Sequence, residues 1–487
     1  MTSRSPARPS LSPFQTPVGA VARSPAVTIP LERSVGDASR LMRDRRVGSL
    51  VVLDGGRPIG IVTESDLARR ALAEGLGAEA DLGPIVSRPL AGIDAERPLF
   101  EALMTMLRGG FGHLAVYRSG ELAGMVSERD WLRVQERHPA ALFHEMAHAE
   151  TVERLAALRQ EALRLARGLI GDDGPASALT ALLTETNDRV TRRVIALALR
   201  ESAGAPPARF AWIALGSEGR GEQTLATDQD NGLIFEDLPA HESDRARRWF
   251  LALAERAVSG LERCGFARCK GNVMASNPEL CRPLEGWKAM FGGMLADPDP
   301  GALLEASICF DLRAIEGDAA LAAALWEWLL ERIARNQGFL NHLAGSLGTT
   351  VLPVSSPWWR LRVAMGWGPD VFDVKRSALH PLVHGLRVLA LRHGISASGS
   401  LTRLQALREA GALAEATASE IRRAWEFFTG LRLRHQFAQA AGGAPPDNAI
   451  ALAALDPLQR RFLVDALKTV RAFQLDVVSA HGDFGIG

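Results

Sequence analysis

From Phe210 to Glu236 the chain reads FAWIALGSEGRGEQTLATDQDNGLIFE, and four residues there have types and spacing suited to chemistry: Gly216, Ser217, Asp228 and Asp230. On an extended chain, residues i and i+2 share a face, so Asp228 and Asp230 point the same way at a strand entrance. Two carboxylates so placed repel each other, and burying them unpaired is costly. A cation between them removes both problems. Hard oxygen ligands of this kind suit Mg²⁺ carrying a nucleoside triphosphate. Gly216 lets the backbone approach closely, and Ser217 can bond a phosphate oxygen at the following turn. The local alternative is an Asx-turn pair that caps a loop. A second pattern, His144-Glu145-Met146-Ala147-His148, is the HExxH spacing that can place two imidazoles on one helix face for zinc. It has no Gly-x-x-His extension, and Glu153 or Glu161 would have to serve as third ligand. A solvated helix face is the better reading.

The elements that must position these residues can be read from periodicity. A buried strand, Phe210 to Leu215, runs into Gly216-Ser217, and a second, Gly232 to Phe235, follows Asp230. From Pro139 to Gly204 the pattern is helical, with Leu155, Leu158, Ala162 and Leu165 on one stripe. Pro139 and Pro175 suit first helical turns. From about Asp318 onward, helical spacing returns in Ala319–Asn336, His380–His393, Leu401–Ala410, Thr417–Ala441 and Pro457–His481.

With its neighbours, the Gly-Ser…Asp-x-Asp segment resembles the nucleotidyltransferase superfamily of DNA polymerase β. The run GSEGRGEQTLATDQDN is similar to the nucleotidyltransferase domain related to PII protein uridylyltransferases. That resemblance implies a third carboxylate to complete a two-metal site. The best candidate is Asp311, in the strand-like run Ala306 to Arg313, with a partner strand near Gly271 to Ala275. It implies Mg²⁺, with Mn²⁺ second, held by Asp228, Asp230 and Asp311. Gly216, Ser217 and Arg220 would face the nucleotide, Arg220 ahead of Arg313. Phe372 to Lys375, Leu431 to Gln436 and Pro446 to Asn448 resemble the helical substrate-binding domain of the same family. Arg376-Ser377-Ala378 departs from the Gly-containing stretch expected there and weakens a substrate role for Lys375. For Arg432, Arg434 and His435 the simpler reading is a solvated face or structural ion pairs.

The chain opens on an internal repeat. Val47 to Leu67 and Phe111 to Trp131 align without a gap at an offset of 64, with 8 of 21 positions identical. Each copy predicts a helix, a strand, a Gly-containing turn, a strand and a helix start. Thr63 and Ser127 sit at N-cap positions, where free N–H groups suit a phosphate. Asp66 and Asp130 follow three residues later and could hold a ribose diol. Gly60-Ile61-Val62-Thr63-Glu64-Ser65-Asp66 and Gly124-Met125-Val126-Ser127-Glu128-Arg129-Asp130 resemble a tandem pair of CBS domains. The resemblance implies AMP, ADP or ATP in the clefts, with Thr63 and Ser127 on phosphate and Asp66 and Asp130 on ribose.

Composition narrows the function classes. There are 56 Lys+Arg and 56 Asp+Glu among 487 residues, which excludes binding to nucleic acid or anionic membrane through a general basic excess. Four cysteines, none in CxxC spacing, argue for free thiols in a reducing cytoplasm. The expected fold class is α+β multidomain. Residues 1–20 form a disordered lead-in and 21–138 a CBS pair (about 21–75 and 84–138). Residues 139–204 form a helical connector, 205–317 a nucleotidyltransferase core with a mixed sheet, and 318–487 an all-α bundle. The expected activity is Mg²⁺-dependent transfer of a nucleoside monophosphate from an NTP to a hydroxyl on a protein or small molecule. Adenine nucleotide at the CBS pair would regulate it, in a homodimer formed through residues 21–138. The alternatives are a catalytically silent nucleotide-sensing scaffold and a zinc hydrolase built on His144 and His148.

Overall fold

The computed structural model describes residues 16–131, 139–169, 174–297, 308–365 and 371–480. The chain divides into two compact units, residues 1–142 with 171–174, and residues 143–170 with 175–487.

The first unit contains two copies of a three-stranded sheet. In one, β1 (Thr28–Pro30) runs parallel to β2 (Ser49–Asp54), which pairs antiparallel with β3 (Arg57–Thr63). The other repeats this with β4 (Gly92–Asp94), β5 (His113–Arg118) and β6 (Glu121–Ser127). Helices Val35–Arg45 and Leu99–Gly109 precede the long strands, as the repeat predicts. Each copy is edged by the segment that leads into the other. Arg23 exchanges backbone hydrogen bonds with Met125, and Ser87 does so with Ile61. A Cβ on Gly124 would lie 2.5 Å from the Arg23 carbonyl, and one on Gly60 2.6 Å from that of Ser87, so both crossings require glycine. Val51, Ala115 and Met125 form the apolar seam between the copies. The lead-in differs from expectation at its end: Val18 is fully buried and donates to Arg97 O, so the ordered unit reaches back to at least residue 16. Residues 1–15 lie outside the described residues.

In the second unit, a mixed four-stranded sheet has the order β10-β7-β8-β9. Here β7 is Phe210–Ala214, β8 Asn231–Phe235, β9 Cys281–Pro283 and β10 Arg313–Gly317. β7 and β8 are buried on both faces, which explains their unbroken apolar runs. Three expectations need correction. The stretch Gly271–Ala275 is a loop; it fastens to β8 through Asn231 N→Val273 O (3.1 Å) and Ala275 N→Asn231 Oδ1 (2.8 Å). Asp311 precedes β10 in a turn, because the chain must reverse after Cys309 to enter the sheet edge at Arg313. Ala306 and Ser307 of that run lie outside the described residues. The helices of the expected connector, Val152–Leu169 and Ala176–Arg200, belong to this unit. The second turns a row of buried polar residues (Glu185, Asn187, Asp188, Thr191) toward it.

Helices Ala319–Ala334, His380–Arg392, Ser400–Glu409, Glu415–Ala441 and Pro457–Ser479 follow the predicted pattern. Two further helices, Gln337–Gly348 and Pro357–Met365, join them. The bundle is not wholly helical: β11 (Val371–Asp373) pairs antiparallel with β12 (Ala449–Ala451). One apolar core runs from Ala211 and Ile234 in the sheet through Phe310 and Leu386 to Val477, so sheet and bundle share an interior.

Candidate active site

The site loop hangs from β7 and returns into β8. β7 ends at a one-turn helix, Gly216–Gly219, in which Gly216 takes φ +54°, a left-handed value that favours glycine. Leu215 N donates to Asp230 O at 2.8 Å, closing the loop against its exit. Gln229 is buried and donates through Nε2 to Val258 O and Phe266 O, each at 3.1 Å. With Gln229 clamped inward, chain alternation turns Asp228 and Asp230 out on the opposite face, as their spacing predicts. The middle of the loop is held by Asn187 Nδ2→Gln223 Oε1 (2.8 Å) and by Gln436 Oε1, which accepts from Leu225 N (3.1 Å).

Asp228, Asp230 and Cys269 bring one ligand atom each to within 4.8 Å of one another, the group of three that forms among the described residues. Burial, then the Asp228 charge, raises the Asp230 carboxyl to about 6, against the opposing pull of the Cys269 hydrogen bond, Lys375 and Arg220. Such a carboxylate pair makes no ion pair with a described residue, and a divalent cation fits it. Burial raises the Cys269 thiol, which donates to Asp230 and remains protonated. Glu218, on the one-turn helix, is buried and raised to about 8, by desolvation first and then by Asp188 and Asp230.

Asp311 does not join this group. Its carboxylate is fully buried among three arginines. Arg387 grips both oxygens (Nε to Oδ1 3.0 Å, Nη2 to Oδ2 2.5 Å), Arg403 Nη1 donates to Oδ1 at 2.7 Å, and Arg220 Nη1 to Oδ2 at 2.6 Å. Burial pushes its pKa up, but Arg387, Arg403 and Arg220 overcome that and hold it below the carboxylate range. Its oxygens are occupied, so the third-ligand expectation finds Asp311 serving as an anchor between loop and bundle. Gly219 completes the anchor: a Cβ there would lie 1.5 Å from Asp311 O. Arg220 is correspondingly engaged, with Glu222 Oε2 at 2.9 Å on its other edge. Arg313 forks onto Asp188 at 2.6 and 3.0 Å and is likewise structural.

The bundle contributes what sequence reasoning undervalued. Lys375 begins a π-helical turn, Lys375–Leu379, of the kind often found at functional sites. Its surface is exposed, yet surrounding atoms and Arg432 lower its pKa while Asp228 and Asp230 raise it, which places it in a crevice beside the dyad. Arg432 is 6% exposed, neither a solvated face nor an ion pair, and donates through Nε to Asn448 Oδ1 at 2.6 Å. His435 does pair, with Asp447 Oδ1 at 2.8 Å. His380 falls to about 4 through burial and then the field of Arg387, Arg220 and Lys375, so it is neutral at pH 7.

His144 and His148 lie on an exposed helix face. His148 Nδ1 contacts His144 O at 2.8 Å, Glu145 pairs with Arg154, and no third ligand joins them among the described residues.

In the first unit, Thr63 caps its helix as predicted, and Ser127 bonds the corresponding aspartate. Thr63 Oγ1 donates to Asp66 Oδ2 at 2.7 Å and accepts from Asp66 N at 3.2 Å. Ser127 Oγ donates to Asp130 Oδ2 at 2.8 Å. Asp66 keeps a partly exposed side chain (15%), whereas Asp130 is 2% exposed.

Comparison with known proteins covers all of these parts. Residues 18–73 and 81–137 match the CBS domain model. Residues 160–301 match "Putative nucleotidyltransferase DUF294", and 337–480 match "Putative nucleotidyltransferase substrate binding domain". An uncharacterized 17.7 kDa protein of Acidianus ambivalens is 30% identical over 120 residues, 24% of this chain and 72% of that one. The CBS domain-containing protein CBSCBSPB3 of Arabidopsis thaliana is 36% identical over 105 residues, 21% of this chain, and the match spans 19% of that relative's length. A solved structure of a conserved protein from Pyrococcus horikoshii aligns at 30% identity and TM-score 0.24 over 26% of this chain and 95% of that one. No helix among the described residues is long and apolar enough to cross a membrane.

Proposed function

We propose, because this chain belongs to the family that joins a CBS domain pair to the DUF294 nucleotidyltransferase and its substrate-binding domain, that it transfers a nucleoside monophosphate from an NTP to a hydroxyl on a protein or small molecule. The observation that carries the reading is the Asp228–Asp230 pair beside the Gly216–Ser217 turn, with Asp230 raised to about 6 by burial and then by the Asp228 charge. Asp228 and Asp230 would hold Mg²⁺, or Mn²⁺, with water and phosphate oxygens completing its shell. The metal supplies Lewis-acid polarisation of the reacting phosphate. Ser217 and the backbone N–H groups of its turn orient the phosphates. Asp311 acts through Arg220, Arg387 and Arg403 to fix the loop against the bundle.

Adenine nucleotide in the CBS clefts would gate the reaction, with Asp66 the more accessible ribose partner. Thr63 and Ser127, whose hydroxyls bond Asp66 and Asp130, would have to share them with phosphate. Residues 21–138 would also supply a homodimer interface, since closed two-fold dimers are the commonest outcome for such surfaces. One observation favours the rival reading of a silent scaffold: the acidic residue expected to complete the dyad is sequestered by arginine. Pyrophosphate release separates the two. The full chain with Mg²⁺, each NTP in turn and a host lysate as acceptor source should release pyrophosphate. Asp228→Ala and Asp230→Ala should abolish release while remaining folded. No release from any NTP would leave the scaffold.

A further inference from the structure

Two cations in the bundle make no ion pair with a described residue. Arg432 is 6% exposed, and its one hydrogen bond runs from Nε to Asn448 Oδ1, which leaves both η nitrogens unused among the described residues. Lys375 makes no hydrogen bond or ion pair with any described residue. A buried guanidinium without an ion-paired carboxylate is costly; burial and then Arg220 oppose its charge, and Asp373, Glu222 and Asp228 offset them only from a distance. The structure nonetheless builds a frame to hold both. Asn448 receives Val374 N on its carbonyl (3.1 Å), fixing the residue before Lys375. Its side chain receives Arg432 and also Gln436 Nε2 (3.2 Å). One turn beyond Arg432, Gln436 bonds the Leu225–Ala226 backbone of the loop that carries Asp228. A single asparagine thus suspends two cations, neither in an ion pair with a described residue, next to the loop that carries the carboxylate pair.

We propose that Lys375 and Arg432 bind the pyrophosphate portion of the NTP. The inference rests on the transferase reading and names its anion-binding half. When the acceptor hydroxyl oxygen bonds the α-phosphorus, its proton passes to water, the bond from the α-phosphorus to the bridging oxygen breaks, and that electron pair leaves with pyrophosphate. A charge-assisted clamp on that group is the expected device, and Arg220, spent on Asp311 and Glu222, cannot supply it alone.

The test is calorimetric titration of the full chain with inorganic pyrophosphate and, separately, orthophosphate, so it needs no turnover. Wild type should bind pyrophosphate more tightly than orthophosphate. Lys375→Gln and Arg432→Gln should each weaken pyrophosphate binding about tenfold. Lys375 is exposed, so its variant keeps the test sound if Arg432→Gln fails to fold. Pyrophosphate affinity unchanged in Lys375→Gln overturns the proposal, as does equal binding of the two anions, which would mark a single-phosphate site for the acceptor. Loss of transfer in Asp228→Ala with pyrophosphate binding intact supports both readings. Pyrophosphate binding without transfer in wild type supports the clamp and removes the enzyme.

Discussion

Replacing Asp311 by Asn distinguishes an anchor from a metal ligand by the sign of its effect on stability. The carboxylate has no exposed surface and accepts four charge-assisted hydrogen bonds from three guanidinium groups, two of them on the bundle helices His380–Arg392 and Ser400–Glu409. Asn keeps the shape and one acceptor oxygen but leaves buried positive charge uncompensated. Breaking such a pair costs about 3–5 kcal/mol. At an unfolding entropy of about 2.1 cal/mol/K per residue, a unit of about 340 residues loses roughly 1.4 °C of Tm per kcal/mol, so a fall of roughly 4–7 °C is expected. Scanning calorimetry on the full chain, with and without Mg²⁺, reads it. A metal ligand would behave oppositely: removing it relieves like-charge repulsion, so Tm without metal would hold or rise while the Mg²⁺-dependent increment vanished. An unchanged Tm with a lost Mg²⁺ increment would therefore refute the anchor and restore Asp311 to the metal site.

Other expectations follow from the same geometry. Gly219→Ala should cost at least about 1–3 kcal/mol, because its Cβ would strike Asp311 O; a Tm equal to wild type in thermal melts would contradict the close approach. Glu218 has a raised folded pKa of about 8, so its contribution is complete below the unfolded value and is lost as pH rises through about 8. Glu218→Gln should match wild type near pH 4 and exceed it by a growing margin in chemical denaturation as pH rises to about 9; the reverse order would be inconsistent with a buried neutral acid. Asp230, raised to about 6, must ionise to hold a cation, so Mg²⁺ should stabilise the chain little near pH 5 and more as pH rises through about 6. A pH-independent Mg²⁺ effect would place the ion elsewhere. Adenine nucleotide should change transfer by roughly 5–150-fold, and Asp66→Ala should erase the response; calorimetry showing no binding outside the transferase site would rule this out.

The sequence discloses local grammar and conceals long-range pairing. The i, i+2 spacing places Asp228 and Asp230 on one face, and the structure keeps it so because Gln229 is clamped on the other. The 64-residue offset yields both sheets of the repeat down to the hydroxyl–aspartate pairs Thr63–Asp66 and Ser127–Asp130. What the sequence could not supply are contacts between distant segments. Arg387 and Arg403 meet Asp311 from 76 and 92 residues away, and no local pattern marks an arginine as the partner of a buried acid. The apolar neighbours of Asp311 suggested a strand, yet the same burial arises in a turn sealed by Phe310 and the arginines. Cys269 reads as an ordinary thiol until the loop folds back to Asp230. Asn448 was legible only as a resemblance beside Pro446, and its role appears once β11 and β12 pair. The polar face of Ala176–Arg200 was the available clue that the expected connector is buried. Asn187 and Asp188 break its apolar stripe because they fasten Gln223 and Arg313.

The central claim is that Asp228 and Asp230 direct transfer of a nucleotide to an acceptor. The most direct measurement incubates the full chain with each α-labelled NTP, Mg²⁺ and a host lysate, and follows label into macromolecular and small-molecule fractions. One NTP should label a discrete acceptor through a bond resistant to denaturation, and label should be absent with Asp228→Ala or Asp230→Ala. Labelling that persists in both variants, or none with any NTP while the chain still binds nucleotide, would contradict it.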